Sequence, residues 1–359
     1  MHPSGFAVGA LLVLLVVWEA FETIVYPRRV SRRFRLTRLF YRATWLPWRA
    51  IARLVPTVER REAFLSVYGP LSLLALLMLW AVLLVLGFAL LHWGGGSQLV
   101  APTGVTGFVS DLYFSGATLF TLTLGDMSPA SRLGRAFTVL EAGTGIGLLA
   151  MVIGYLPSLS QAFSRRETHV TSLDARAGSP PSAGELLLRH KGPDGEEALA
   201  QQLELWERWA AELMETHVSL PVLAYYRSQH EGQSWVAALT MILDVCALIL
   251  ADIEPGPTRP ARTAFAMARH AAIDLTNAFG LKAASLEPDR LPAVDLARLR
   301  QALGAVDASL PTVPEVEAKL ARLRQMYEPY MSSLADFLVM PLPTWVSPEG
   351  ARDKWESMV

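Results

Sequence analysis

Residues 111–129, DLYFSGATLFTLTLGDMSP, gather groups that could meet an ion: the hydroxyls of Ser115, Thr118, Thr121 and Thr123, the flexible Gly125 and the carboxylate of Asp126. Leu122 and Leu124 alternate with the threonines. The first half reads as a short helix over 108–120 and the second as a turn of small and hydroxyl residues. Long apolar runs lie on both sides. A loop re-entering a membrane has this form, because non-helical backbone at that depth is tolerated only where it lines water or is buried in protein. Other chemistry lacks its signature. The seven histidines form no HxxxH pattern, there is no CxxC, and no GxSxG, P-loop or kinase motif occurs. An enzyme is not expected, nor a metal or organic cofactor.

The elements that must position this stretch follow from composition. With 359 residues, 52% of them hydrophobic, the chain has apolar length for several spans and a further domain. One cysteine, Cys246, allows no intrachain disulfide. Charge is divided unevenly: up to Phe163 basic residues outnumber acidic by 13 to 7, and beyond it acidic residues lead by 26 to 19. Four segments result: an N-terminal transmembrane helix (1–26), a basic amphipathic linker (27–63), a pore domain (64–163) and a cytosolic helical domain (164–359).

The first apolar run, residues 5–26, is long enough to span at roughly 20 residues. No basic cluster precedes it, so it reads as an uncleaved anchor. Glu19 and Glu22 share one helix face and should point at protein, pairing with Arg28, Arg29 or a neighbouring helix, or else coordinating an ion. Residues 27–61 hold eleven arginines interleaved with aromatic and aliphatic residues. This marks the cytoplasmic side and predicts an in-plane helix whose arginines meet anionic lipid rather than nucleic acid. The second run, 64–93, ends outside at His92, Trp93 and three glycines. The third, 136–163, has Glu141 as its one charge and ends inside at Arg165 and Arg166. The expected protein crosses the membrane several times, N-terminus outside and C-terminus cytoplasmic.

Residues 111–129 resemble the pore signature of the potassium-channel superfamily, a pore helix ending in T-x-G-Y/F-G-D, with Ser115, Thr118, Thr121, Gly125 and Asp126 matching. Thr123 stands at the pattern's first glycine and Leu124 at its aromatic. The resemblance covers residues 65–163, and 164–183 look like the start of the cytosolic region in bacterial proteins grouped with two-pore-type potassium channels. It implies an all-α protein of the bacterial inner membrane with a potassium-channel-like pore module (outer helix, re-entrant pore helix and filter, inner helix), preceded by an extra transmembrane helix and followed by a cytosolic helical domain, with monovalent cations, K⁺ or Na⁺, as permeant ions. One loop cannot enclose an axis, so a homotetramer is expected. The filter would be Thr121, Leu122, Thr123, Leu124, Gly125 and Asp126. Thr123 is β-branched and fits poorly where the family's glycine permits φ > 0. The expected result is a relaxed or collapsed filter rather than the usual four-site one.

Glu141 falls behind the loop, either as an acceptor for pore-loop hydroxyls or amides, together with Ser115 and Thr118, or as a protonation-sensitive gate. Gly147 is a candidate hinge, with Met151, Gly154, Tyr155, Pro157 and Ser158 below it; Met151, Tyr155 and Ser158 would face the lower pore, and close helix packing is the other account of the small residues. Beyond 163, helices are predicted at 182–190, 196–216, 222–230, 235–252, 259–279, 292–303 and 313–340. The apolar run at 235–251 could pass for a fourth span. Asp244 at its centre, costing about 2.5–3.5 kcal/mol on insertion, favours a buried bundle helix. Arg269, His270 and Asp274 could form a pocket, but a salt bridge or solvated face is the commoner use of such spacing. Two functions stand: a tetrameric cation channel regulated by its cytosolic domain through an unidentified ligand, or a non-conducting channel-like scaffold or sensor.

Overall fold

The computed structural model describes residues 2–26, 35–97, 99–100, 107–122, 124–178, 180–230, 232–285, 287–304 and 313–347. The chain is mostly helical. Helix α1 (Pro3–Ala20) runs on into a π-helical turn, Phe21–Val25, and is followed by α2 (Leu36–Leu54), α3 (Val58–Gly95), strand β1 (Leu99–Val100), α4 (Phe108–Leu119), strand β2 (Ser128–Pro129) and α5 (Arg132–Ala177). Among the described residues three helical stretches, Pro3–Val25, Val58–Gly95 and Arg132–Ala177, are long and apolar enough to cross a membrane.

Contacts divide the chain into two units, Met1–Ile51 with Val67–Ser160, and Ala52–Ser66 with Gln161–Val359. The line differs from the four segments read in the sequence, since the end of α2 and the first turns of α3 group with the C-terminal half. In the first unit α1 lies close against α3. A Cβ at Gly9 would stand 2.6 Å from the Gly87 carbonyl oxygen, so only glycine permits this approach. Glu19 turns to the start of α2, where its carboxylate accepts the backbone N–H groups of Leu36 (3.0 Å) and Thr37 (3.2 Å) and the Thr37 hydroxyl (2.7 Å). A carboxylate there satisfies otherwise orphaned helix donors and complements the helix dipole. Glu22 accepts from the Trp18 indole at 2.8 Å and lies 3.9 Å from Arg35. Arg28 and Arg29, named as possible partners, lie outside the described residues.

Helix α2 is amphipathic, as its arginine and aromatic spacing predicts. Thr37, Tyr41 and Trp45 are buried; the Trp45 and Trp48 rings sit 4.7 and 5.6 Å from that of Tyr68 on α3, and Thr44 Oγ1 is 2.9 Å from the Tyr68 hydroxyl. Arg38, Arg42, Arg49 and Arg53 recur at spacings of four, seven and four residues along another stripe, beside exposed Leu39, Leu46 and Leu54.

In the second unit come α6 (Ala183–Arg189), α7 (Gly195–Ser219), a 3₁₀ turn at Pro221–Tyr225, α8 (Trp235–Leu250), α9 (Thr258–Ala278), α10 (Ala293–Gly304), α11 (Val313–Gln325) and α12 (Glu328–Leu338). Ser182 and Ser234 cap α6 and α8, accepting the N–H groups of Glu185 and Ala237. Two expected helices are corrected. The 222–230 element is only the 3₁₀ turn. The 313–340 helix breaks in two at residues 326–327, because Pro329 has no N–H to offer the Gln325 carbonyl and instead sits in the first turn of α12, where none is required.

The apolar run near 235–251 forms α8, buried on nearly every side by protein, in keeping with the bundle reading. Asp244 within it accepts from the Tyr327 hydroxyl and from Arg290 Nη2, each at 2.5 Å. Arg290 and Arg324 both reach Glu328 and cover the Trp345 ring at 5.2 and 5.6 Å. Burial pushes the Asp244 carboxyl up to about 6 against the pull of Arg290. On α9, His270 pairs with Asp274 at 3.1 Å and Arg269 donates to the Met326 carbonyl, so these three serve salt bridge and surface.

Candidate pore-loop site

Helix α4 starts at the predicted residue, Phe108, and closes in a left-handed cap. The Thr121 N–H donates to the Thr118 carbonyl (3.0 Å) and the Leu122 N–H to the Ala117 carbonyl (2.8 Å), with Thr121 at φ +54°. Such a closure usually falls on glycine, and a β-branched residue there costs on the order of 1–2 kcal/mol. Sequence reasoning put the demand for positive φ on Thr123, which lies outside the described residues; positive φ occurs on Thr121 and on Gly125 (+73°). Beyond it, the Tyr113 hydroxyl of α4 donates to Asp126 Oδ2 at 3.0 Å and holds the end of the loop. The flanking chain closes with Leu99 opposite Pro129 and Val100 opposite Ser128. Thr121, Leu122, Leu124, Gly125 and Asp126 are all exposed on the single chain.

Ser115 and Glu141 come together behind the loop. Both are fully buried, with His92 of α3 beside them, also fully buried and 3.4 Å from Glu141. Thr118 is half-buried and contributes its carbonyl to the α4 cap. The last turn of α4 lies directly on α5, where a Cβ at Gly145 would stand 2.0 Å from the Leu119 carbonyl oxygen.

Helix α5 runs unbroken through Gly147, Met151, Gly154, Tyr155 and Pro157. Pro157 has no N–H to offer the Ile153 carbonyl, and one residue on the Ser158 hydroxyl donates to the Gly154 carbonyl at 3.2 Å. Gly147 and Gly154 border open space. Tyr155 is buried within its own chain, whereas Met151 is half-buried and Ser158 exposed, so the three share no common exposure.

Residues 73–161 match a family model described as an ion channel. The match runs from α3 through α4 and the loop into α5. The Bacillus subtilis (strain 168) protein named uncharacterized membrane protein YdjJ is 24% identical over 187 residues, covering 50% of this chain and 52% of that one. The chain therefore spans about half the length of the curated relative it matches. No solved structure matches it.

Three contributors escaped sequence reasoning. His92 reads as the end of an apolar helix, although a titratable residue at membrane depth is itself a signal. Tyr113 reads as one more aromatic of a short helix. Arg166 reads as a marker of sidedness, yet it is buried: Nη1 donates to the Leu223 carbonyl and Nη2 to the Tyr226 carbonyl, both at 2.9 Å, and Nε to Glu167.

Proposed function

We infer that this chain is the subunit of a cation channel of the potassium-channel type, with residues 121–126 at the narrowest point and α5 as the gating helix. The supporting observation is the placement of α4 and its capped loop between two long apolar helices, inside the segment that matches the ion channel model. About four copies around an axis would be needed to close a ring from one loop per chain. Asp126, held by Tyr113, supplies a ring of carboxylates that concentrates cations at the mouth. Without the glycine and aromatic of the family's filter at 123 and 124, potassium preference is weak. Membrane insertion places the arginines of α2 at the headgroup layer, where anionic lipids pair with them.

A second reading draws on Leu122 and Leu124. Their side chains are exposed in the loop, and a ring of leucines makes a dewetted constriction that stops ions. The chain would then be a non-conducting scaffold or sensor, with the C-terminal helices as its output. Cation flux through the purified chain in liposomes separates the two. The channel reading expects native flux that falls several-fold in Asp126→Asn; a native chain no leakier than empty liposomes favours the sensor.

A further inference from the structure

Three helices each bring one polar side chain to the same buried point. His92 comes from the end of α3, Ser115 from the middle of α4 and Glu141 from the first third of α5, and each is 0% exposed. His92 Nε2 stands 3.4 Å from Glu141 Oε2, and its Nδ1 is 2.8 Å from Ser97 Oγ. The Ser115 hydroxyl reaches the Glu141 carboxyl, yet among the described residues His92 Nε2, both Glu141 oxygens and Ser115 Oγ complete no hydrogen bond of good geometry. A buried polar atom without a partner is destabilising, and a charged one more so. Four of them converging on one spot call for an explanation.

Net charge narrows the choice. A lone carboxylate enclosed in protein carries a large desolvation penalty, which a neutral imidazole does not offset. Two aromatic rings stand perpendicular to the His92 ring, Phe114 at 5.2 Å and Phe137 at 6.0 Å, and bring no charge. Of the other titratable groups on the packed elements, Asp111 lies one turn before Ser115 on α4 and would add negative charge. Tyr113 is bonded to Asp126. On α1 and the π-helical turn that continues it, Glu19 is committed to the start of α2 and Glu22 to Trp18. Arg135, near the start of α5, donates to the Pro129 carbonyl. No described lysine or arginine forms an ion pair with Glu141. One added proton makes the pair neutral overall, whether as imidazolium with carboxylate or as imidazole with carboxylic acid.

We propose that His92 and Glu141 bind one proton between them, with Ser115 as a third partner, and that this proton fastens α4 to α3 and α5. When it leaves, an uncompensated carboxylate remains between three helices, and either water enters or the helices part. Leu119, one turn beyond Ser115, rests on Gly145 two residues before Thr121, so a shift of α4 reaches the loop. The proton site stands on geometry alone; only its effect on conduction rests on the channel reading.

The test uses the full chain in lipid nanodiscs, titrated with pH while infrared difference spectra follow the protonated carboxyl and ¹⁵N-histidine spectra follow the His92 ring. Expected is one transition shared by the carboxyl band and the ring, as coupled sites titrate as a pair. Glu141→Gln abolishes the band and changes the ring's transition. His92→Gln moves the carboxyl midpoint by at least one pH unit, a tenfold change in proton affinity. Should Glu141→Gln fail to fold, Glu141→Asp draws the carboxyl back from the ring and separates the two transitions. Separate midpoints in the native chain, or a carboxyl midpoint unmoved by His92→Gln, overturn the proposal. Flux on the same samples keeps the readings apart: a shared transition without flux contradicts the channel alone, and flux with independent titrations contradicts the proton site alone.

Discussion

A single methyl group at residue 145 tests how α4 is seated on α5. The Cβ of an alanine there would lie 2.0 Å from the Leu119 carbonyl oxygen and 3.0 Å from its carbonyl carbon, both backbone atoms that cannot swing aside. Favourable contact between such atoms begins at about 3.5 Å, so the two helices must separate by more than about an ångström. Overpacking typically costs about 1–3 kcal/mol, and backbone against backbone belongs at the upper end. Replacing a helical glycine by alanine returns up to about 1 kcal/mol of propensity. Gly145→Ala should therefore lose about 2 kcal/mol net. Gly147 is two residues along the same helix with nothing within 4 Å of its would-be Cβ, so Gly147→Ala keeps only the gain. Unfolding of both variants in the same detergent should place Gly145→Ala about 3 kcal/mol below Gly147→Ala, the sum of these two effects. Equal stabilities, or Gly147→Ala as the weaker protein, would refute the close seating of α4. A hinge at Gly147 adds that its alanine variant lowers flux while raising stability.

In the second unit two buried groups act on stability with opposite sign. Asp244 holds its proton more tightly folded than unfolded, since burial raises it from 3.8 to about 6; its contribution is therefore fullest in acid and is lost as pH rises from about 4 to about 6. Burial, helped by Arg166, pushes His217 from 6.5 down to about 3, so its contribution is present above pH 6.5 and is lost as pH falls. Each slope is about 1.4 kcal/mol per pH unit, and between pH 4 and 6 they nearly cancel. Thermal unfolding across that range should slope upward with pH for Asp244→Asn and downward for His217→Gln; parallel profiles would count against both assignments. Arg166→Lys cannot keep the forked donation to the Leu223 and Tyr226 carbonyls and should cost about 3 kcal/mol in denaturant titration; a variant as stable as the native chain would show those bonds to be dispensable.

Local pattern revealed the elements and left their partners hidden. The limits of α4 were legible to a residue because small and hydroxyl residues end its apolar period at Phe120. The burial of α8 was legible because Asp244 is too expensive for lipid. The partners of Asp244, however, lie 46 and 83 residues away at Arg290 and Tyr327, and no period in a single chain joins positions so far apart. His92 and Glu141 meet for the same reason, through a helix contact 49 positions long that spacing alone does not reveal. The left-handed Thr121 was not foreseen because the loop was read against a family pattern, whereas the end of α4 fixes it: the closing hydrogen bonds of Ala117 and Thr118 fall on Leu122 and Thr121. The break ahead of Pro329 was legible in principle, since proline lacks the N–H that would carry a helix through it.

The claim that residues 121–126 form a cation path with a relaxed filter is tested most directly by K⁺ and Na⁺ flux through the purified full-length chain in liposomes, comparing the native protein with Thr123→Gly/Leu124→Tyr. The account predicts native flux with weak preference for K⁺, which the double substitution sharpens. A silent native chain beside a conducting double variant would contradict it.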